Sequence, residues 1–123
     1  MTRIALVEDN ADNRMLACAI LGDSYDIDEY ETGADALAAF TAAPPQLVLL
    51  DISLPGMDGT EVLRRMRADP RLQRVPVIAL TAHAMTGDRE KYIELGFDSY
   101  VSKPIVDDEL LLAEIDRLLR PAQ

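Results

Sequence analysis

Apolar and polar positions along this chain alternate between two rhythms. Ile4-Ala5-Leu6-Val7, Leu47-Val48-Leu49-Leu50 and Val77-Ile78-Ala79-Leu80 are unbroken apolar runs of strand length. Longer stretches between them repeat apolar residues at helical spacing, as Leu111, Ile115 and Leu118 do. The pattern predicts strands over Arg3–Val7, Tyr25–Tyr30, Leu47–Leu50, Val77–Leu80 and Ser99–Val101. It predicts helices over Asp12–Leu21, Ala34–Ala42, Gly59–Arg67, Asp88–Leu95 and Asp107–Leu119. Asn10 or Asp12 caps the first helix, Thr32-Gly33 opens the second, Pro44-Pro45 stops it, and Gly96 ends the fourth.

Strands alternating with helices call for βαβ units and a parallel sheet. The segment Tyr25–Tyr30 alternates apolar and acidic residues, as a half-exposed edge strand does. The first and third apolar runs carry no polar face and belong inside, with helices on both sides. The expected fold is therefore α/β, a flavodoxin-like (βα)5 doubly wound sheet in the strand order 2-1-3-4-5. Its ligand site would lie where strands one and three diverge.

Chemistry gathers at that place. Glu8 and Asp9 follow the first apolar run, Asp51 the third and Thr81 the fourth, and Lys103 follows the fifth strand. In a parallel sheet all five groups meet at one edge. Three carboxylates so placed repel one another, and a divalent cation preferring oxygen ligands, such as Mg²⁺, relieves that repulsion. Asp9 and Asp51 are the expected direct ligands, with Glu8 acting through water and the Ser53 backbone carbonyl adding an oxygen after the turn. The Thr81 hydroxyl and Lys103 ammonium suit the oxygens of a phosphoryl group. Lys103 precedes Pro104.

Composition narrows the classes. The chain has 123 residues, enough for one domain with a real core, and a net charge of −10 that repels nucleic acid and anionic lipid. A single cysteine, Cys18, excludes an internal disulfide, and a single His83 excludes a histidine-rich metal site. No apolar stretch reaches the roughly 20 residues that cross a bilayer. Met1-Thr2-Arg3 leads straight into the first strand with no secretory signal, so a cytoplasmic protein is expected.

Four segments, Leu6-Val7-Glu8-Asp9-Asn10, Asp51-Ile52-Ser53-Leu54-Pro55-Gly56-Met57-Asp58-Gly59, Ile78-Ala79-Leu80-Thr81-Ala82 and Tyr100-Val101-Ser102-Lys103-Pro104, stand in order and at spacings that resemble the receiver domains of two-component response regulators. The resemblance covers essentially the whole chain. It implies that Asp51 accepts a phosphoryl group from a histidine kinase or histidine phosphotransfer protein, with Mg²⁺, Thr81 and Lys103 stabilising the transferred group. It implies a switch in which Thr81 moves toward the phosphoryl group and Tyr100 turns inward. The face made by the fourth helix, fifth strand and fifth helix then changes shape for a downstream protein partner, as a monomer or a phosphorylation-dependent dimer. His83 falls at the rim of the site. Tyr30 stands where the family often has a small residue and is expected to alter an exposed surface. Glu8 replaces the family's more frequent Asp.

On this reading, residues 1–123 form one receiver domain, expected to be a single-domain response regulator in a phosphorelay. A receiver domain excised from a hybrid histidine kinase is the alternative. A Mg²⁺-dependent phosphohydrolase would want a second acid two residues after its aspartate, where this chain has Ser53. A flavin carrier would want a hydroxyl- and glycine-rich loop where Glu8-Asp9-Asn10-Ala11-Asp12 stands. A binding module that never receives phosphate would not need the full set of site residues. The domain is thus expected to assist its own phosphorylation and dephosphorylation without being an enzyme for other substrates.

Overall fold

The computed structural model describes residues 2–81, 88–102 and 108–119, the side chains of residues 88, 89 and 108 excepted. Five strands form one parallel sheet: β1 (Arg3–Val7), β2 (Asp26–Tyr30), β3 (Leu47–Asp51), β4 (Val77–Thr81) and β5 (Ser99–Ser102), in the order β2-β1-β3-β4-β5. Helices α1 (Ala11–Leu21), α2 (Gly33–Ala42), α3 (Gly59–Ala68), α4 (Asp88–Leu95) and α5 (Asp108–Leu119) alternate with them. This is the flavodoxin-like architecture the hydrophobic pattern predicts.

Strand alternation sorts the core into two layers. Ala5, Val7, Val48, Leu50, Val77 and Ala79 face α2, α3 and α4, packing with Phe40, Leu63, Met66 and Tyr92. Ile4, Leu6, Leu47, Leu49, Ile78 and Leu80 face α1 and α5, against Leu21, Leu111 and Ile115. Every residue of β3 and β4 is buried, whereas β2 is exposed or half-buried along its length, as an edge strand must be.

Three strands run one residue further than the apolar pattern indicates, β5 ending at Ser102 and the others at Asp51 and Thr81. The Ile52 amide donates to the Leu80 carbonyl at 3.1 Å, and Asp51 pairs in register with Leu80, so Asp51 is the last residue of β3. Thr81 likewise pairs with Ser102 and closes β4. Hydrophobicity stops at the polar residue; the hydrogen-bond ladder does not.

Caps fix the helices locally. The Asn10 side chain accepts from the Asn13 amide at 3.0 Å, which makes Asn10 the cap of α1. Thr32 and Asp58 serve α2 and α3 in the same way. Within α3, Arg64 and Arg65 bind the Glu61 carboxylate and hold it down to about 2. Gly96, at φ +113°, ends α4 in a conformation that side-chain-bearing residues rarely adopt.

Tyr30 serves both the surface and the core. It is half-buried on β2 and packs edge-on against Phe40, with ring centroids 5.8 Å apart. The ring extends the core over the sheet edge while the residue also borders a surface groove with Arg14, Glu29, Glu31 and Asp35.

One corner of the fold hangs on Arg67. Its guanidinium donates to the carbonyls of Gln73, Val75 and Gly96 and to the Asp98 carboxylate at 2.9 Å. The same Asp98 oxygen accepts the Val77 amide at 2.8 Å, tying the start of β4 to the turn after α4. Replacing Asp98 with Ala leaves the part-buried Val77 amide without its acceptor and removes one of four acceptors from Arg67, and the expected cost is about 1–3 kcal/mol. Urea denaturation with an unchanged m value measures it. A loss below roughly 0.5 kcal/mol would show that the Arg67–carbonyl contacts suffice.

Candidate functional site

Three acids from two adjacent strands converge at the sheet edge. Ligand oxygens of Glu8, Asp9 and Asp51 all lie within 4.8 Å of one another. Glu8 and Asp51 are each only 1% exposed, whereas Asp9 faces solvent. The fold creates this proximity because β1 and β3 are neighbours in parallel register, with Val7 opposite Leu50.

Each buried acid is oriented by local hydrogen bonds. The Ser53 amide donates to Asp51 Oδ1 at 3.0 Å, a turn closed two residues beyond the strand. Asn13, one turn into α1, donates from Nδ2 to Glu8 Oε1 at 2.9 Å. Arg14 donates to the Glu8 carbonyl and pairs with Glu29 and Glu31, setting a cation behind the acidic cluster. Sequence reasoning missed Asn13 and Arg14. Their position in the first turns of α1 was a usable signal, since that turn must lie over the end of β1.

The loop after Asp51 is held tightly. The Gly59 amide donates to the Ile52 carbonyl at 3.0 Å. A Cβ at Gly59 would stand 2.3 Å from the Asp51 carbonyl oxygen, so only glycine lets α3 begin against the site.

Of the other expected residues, Thr81 lies at the end of β4, 2% exposed. Its hydroxyl makes a hydrogen bond of 3.1 Å with the Tyr92 hydroxyl, a contact between β4 and α4 for which the sequence holds no local cue. Tyr100 sits on β5, half-buried against the core layer shared with Tyr92 and Ala79. Ser53 is exposed at the rim. Lys103 and His83 lie outside the described residues.

This donor set suits a hard divalent cation. It offers only carboxylate oxygens, converging from two strand ends and partly sheltered from water. Among the described residues, no soft ligand takes part.

The sequence profile described as "Response regulator receiver domain" matches residues 4–116. The chain belongs to that family. The receiver domain is 38% identical over 103 residues to the polar-differentiation response regulator DivK of Brucella ovis, spanning 83% of this chain and 84% of that protein. It is 36% identical over 119 residues to the response regulator PleD of Caulobacter vibrioides. That match takes in 96% of this chain but only 26% of PleD, and the sensor protein GacS of Pseudomonas syringae is matched over 12% of its length. Among solved structures, the receiver domain of sensor histidine kinase PA1611 from Pseudomonas aeruginosa PAO1 superposes with a TM-score of 0.86 at 34% identity, covering 96% of this chain and 97% of that one. That neighbour has a magnesium ion coordinated in its active site cleft. Among the described residues, no helix of the receiver domain is long and apolar enough to cross a membrane.

Three carboxylates held this close destabilise the metal-free domain by mutual repulsion. Asp51→Asn is therefore expected to stabilise the domain in EDTA by roughly 1 kcal/mol or more, a rise of about 2–6 °C in Tm. Thermal melts with and without EDTA test this. An unchanged or lower Tm for the variant would show that hydrogen bonds to the Asp51 carboxylate outweigh the repulsion.

Proposed function

We propose that this receiver domain accepts a phosphoryl group on Asp51 and acts as a phosphorylation switch in a two-component pathway. The observation that carries the reading is the convergence of Glu8, Asp9 and Asp51 at the ends of β1 and β3, one strand from the buried Thr81 hydroxyl.

The chemistry follows from the residues. The donor presents a phosphoryl group on a histidine nitrogen. A carboxylate oxygen of Asp51 attacks phosphorus in line, a P–O bond forms as the P–N bond breaks, and the imidazole leaves with the bonding pair and takes up a proton. The product is an acyl phosphate. The Ser53 amide fixes the plane of the attacking carboxylate, and Asn13 and Arg14 hold the Glu8 side chain and backbone in place. Glu8, Asp9, Asp51 and the Ser53 carbonyl would hold Mg²⁺. When bound, Mg²⁺ neutralises charge on both the carboxylates and the transferred oxygens, which otherwise repel. Thr81 donates a hydrogen bond to one phosphoryl oxygen and Lys103 supplies a cation to another. Water attacking phosphorus on the same frame returns Asp51 and inorganic phosphate.

Turnover of outside substrates is not part of this role, because the position two residues after Asp51 carries the Ser53 hydroxyl and not a general acid. The expected donor is a histidine kinase or a histidine phosphotransfer protein. The expected output is a protein partner reading the α4–β5–α5 face, where Leu110 is exposed beside Tyr100. Tyr100 on that face would turn as Thr81 moves, and His83 would sit at the rim controlling water. We place this activity in the cytoplasm, on residues 1–123 acting as one domain, with neither nucleic acid nor membrane bound directly by a surface of charge −10.

Incubation with phosphoramidate and Mg²⁺ is expected to add about 80 Da to the intact mass, one phosphoryl group. The increment should vanish in Asp51→Asn and in EDTA. No increment in the wild-type protein, under conditions that label another receiver domain, would sink the proposal. Continuous phosphate release from small phosphoesters would favour a hydrolase instead.

A further inference from the structure

The buried hydrogen bond between Thr81 Oγ1 and the Tyr92 hydroxyl joins the expected phosphoryl site to α4, and neither the hydrophobic pattern nor the family resemblance assigns it. Thr81 and Tyr92 are 2% and 6% exposed. The Tyr92 ring is fixed from the other side by Phe97, edge-on at 6.1 Å.

The faces of the sheet give this bond its meaning. Alternation carries Asp51 with Leu47 and Leu49 toward the α1 and α5 side. It carries Thr81 with Val77 and Ala79 toward the α2, α3 and α4 side, where Tyr92 meets it. A threonine hydroxyl has one proton to donate and lone pairs that accept, so what decides whether it can serve a phosphoryl oxygen is the direction of Oγ1, which here points toward Tyr92 on α4. To bind a phosphoryl group on Asp51, Oγ1 must turn from the α4 side toward the sheet edge, and its contact with Tyr92 is broken.

We infer that Tyr92 is a positioning residue that latches Thr81 in the resting state, so that phosphorylation of Asp51 trades the Thr81–Tyr92 hydrogen bond for a Thr81–phosphoryl one and releases α4. The inference rests on the proposed phosphoryl acceptance by Asp51 and adds the element through which α4 senses it. A phenol deprived of its partner in a buried setting is costly, so α4 must move to give that hydroxyl water or a new hydrogen-bond partner. The latch thereby converts one hydrogen bond at the site into a displacement of a whole helix.

Tyr92→Phe keeps the ring and its packing on Phe97 while removing the latch. With Mg²⁺ and beryllium trifluoride, an acyl phosphate mimic, the variant is expected to bind about threefold to tenfold more tightly than wild type, the worth of one hydrogen bond lost from the resting state. In a Thr81→Ala background the same substitution should change affinity less than about twofold, because its effect passes through Thr81. Equal or weaker binding by Tyr92→Phe, or an undiminished effect in Thr81→Ala, overturns the latch.

A wild-type measurement stands beside these. In protein carrying ¹³C at tyrosine Cζ, the Tyr92 signal, assigned by elimination with Tyr25→Phe, Tyr30→Phe and Tyr100→Phe, should shift when beryllium trifluoride binds. An unmoved signal in a protein that binds the mimic overturns the latch while leaving phosphoryl acceptance standing. A wild-type protein that neither binds the mimic nor gains phosphoryl mass overturns both.

Discussion

A carboxylate stands at the end of a wholly buried strand. Asp51 closes β3 at 1% exposure, with four apolar residues behind it and β1 and β4 on either side. An ion taken out of water needs compensation, and in this fold the compensation is assembled from parts distant in sequence. The turn to Ser53 supplies an amide, and the glycine at 59 lets the backbone of α3 close over the loop. The adjacent β1 adds further acids where a stability argument alone would have placed a cation. That local conflict, acid beside acid, is what a protein designed only to be stable would avoid, and it marks the site.

The rest of the molecule keeps that conflict in place. Two apolar layers clamp the sheet between α1 and α5 on one side and α2, α3 and α4 on the other. The Arg67–Asp98 corner pins the entry of β4 to the turn before β5. At the opposite, C-terminal edge the strand ends depend less on packing and more on individual hydrogen bonds: Asn13 to Glu8, Ser53 to Asp51, Thr81 to Tyr92. Such bonds are each worth only about a kilocalorie per mole net, so they can be exchanged without unfolding the core. A rigid sheet carrying an exchangeable edge is a sound physical basis for a two-state signal.

A good part of this was legible beforehand. Unbroken apolar runs separated by helical periods require a parallel sheet covered on both faces, and an acidic, alternating Tyr25–Tyr30 segment requires an edge. Acids and a hydroxyl immediately after those runs must then share one end of the sheet. Strand ends fall one residue later than the pattern indicates, at Asp51, Thr81 and Ser102, because hydropathy reports burial of side chains whereas strands end where backbone pairing ends. The core contact of Tyr30 was not legible, because a residue on an alternating edge strand can still turn its ring over the core edge toward Phe40.

The order of apolar and polar residues by itself determined the fold class, the strand order and the edge at which chemistry collects, since these follow from the period of burial and the handedness of parallel crossovers. Only the tertiary structure decided which side chains touch there. Asn13 on Glu8, Arg67 on Asp98 and Tyr92 on Thr81 join residues 5, 31 and 11 positions apart. A hydrogen bond acts over about 3 Å. Distances that short are set by how helices settle on a sheet, and no periodicity along the chain encodes them.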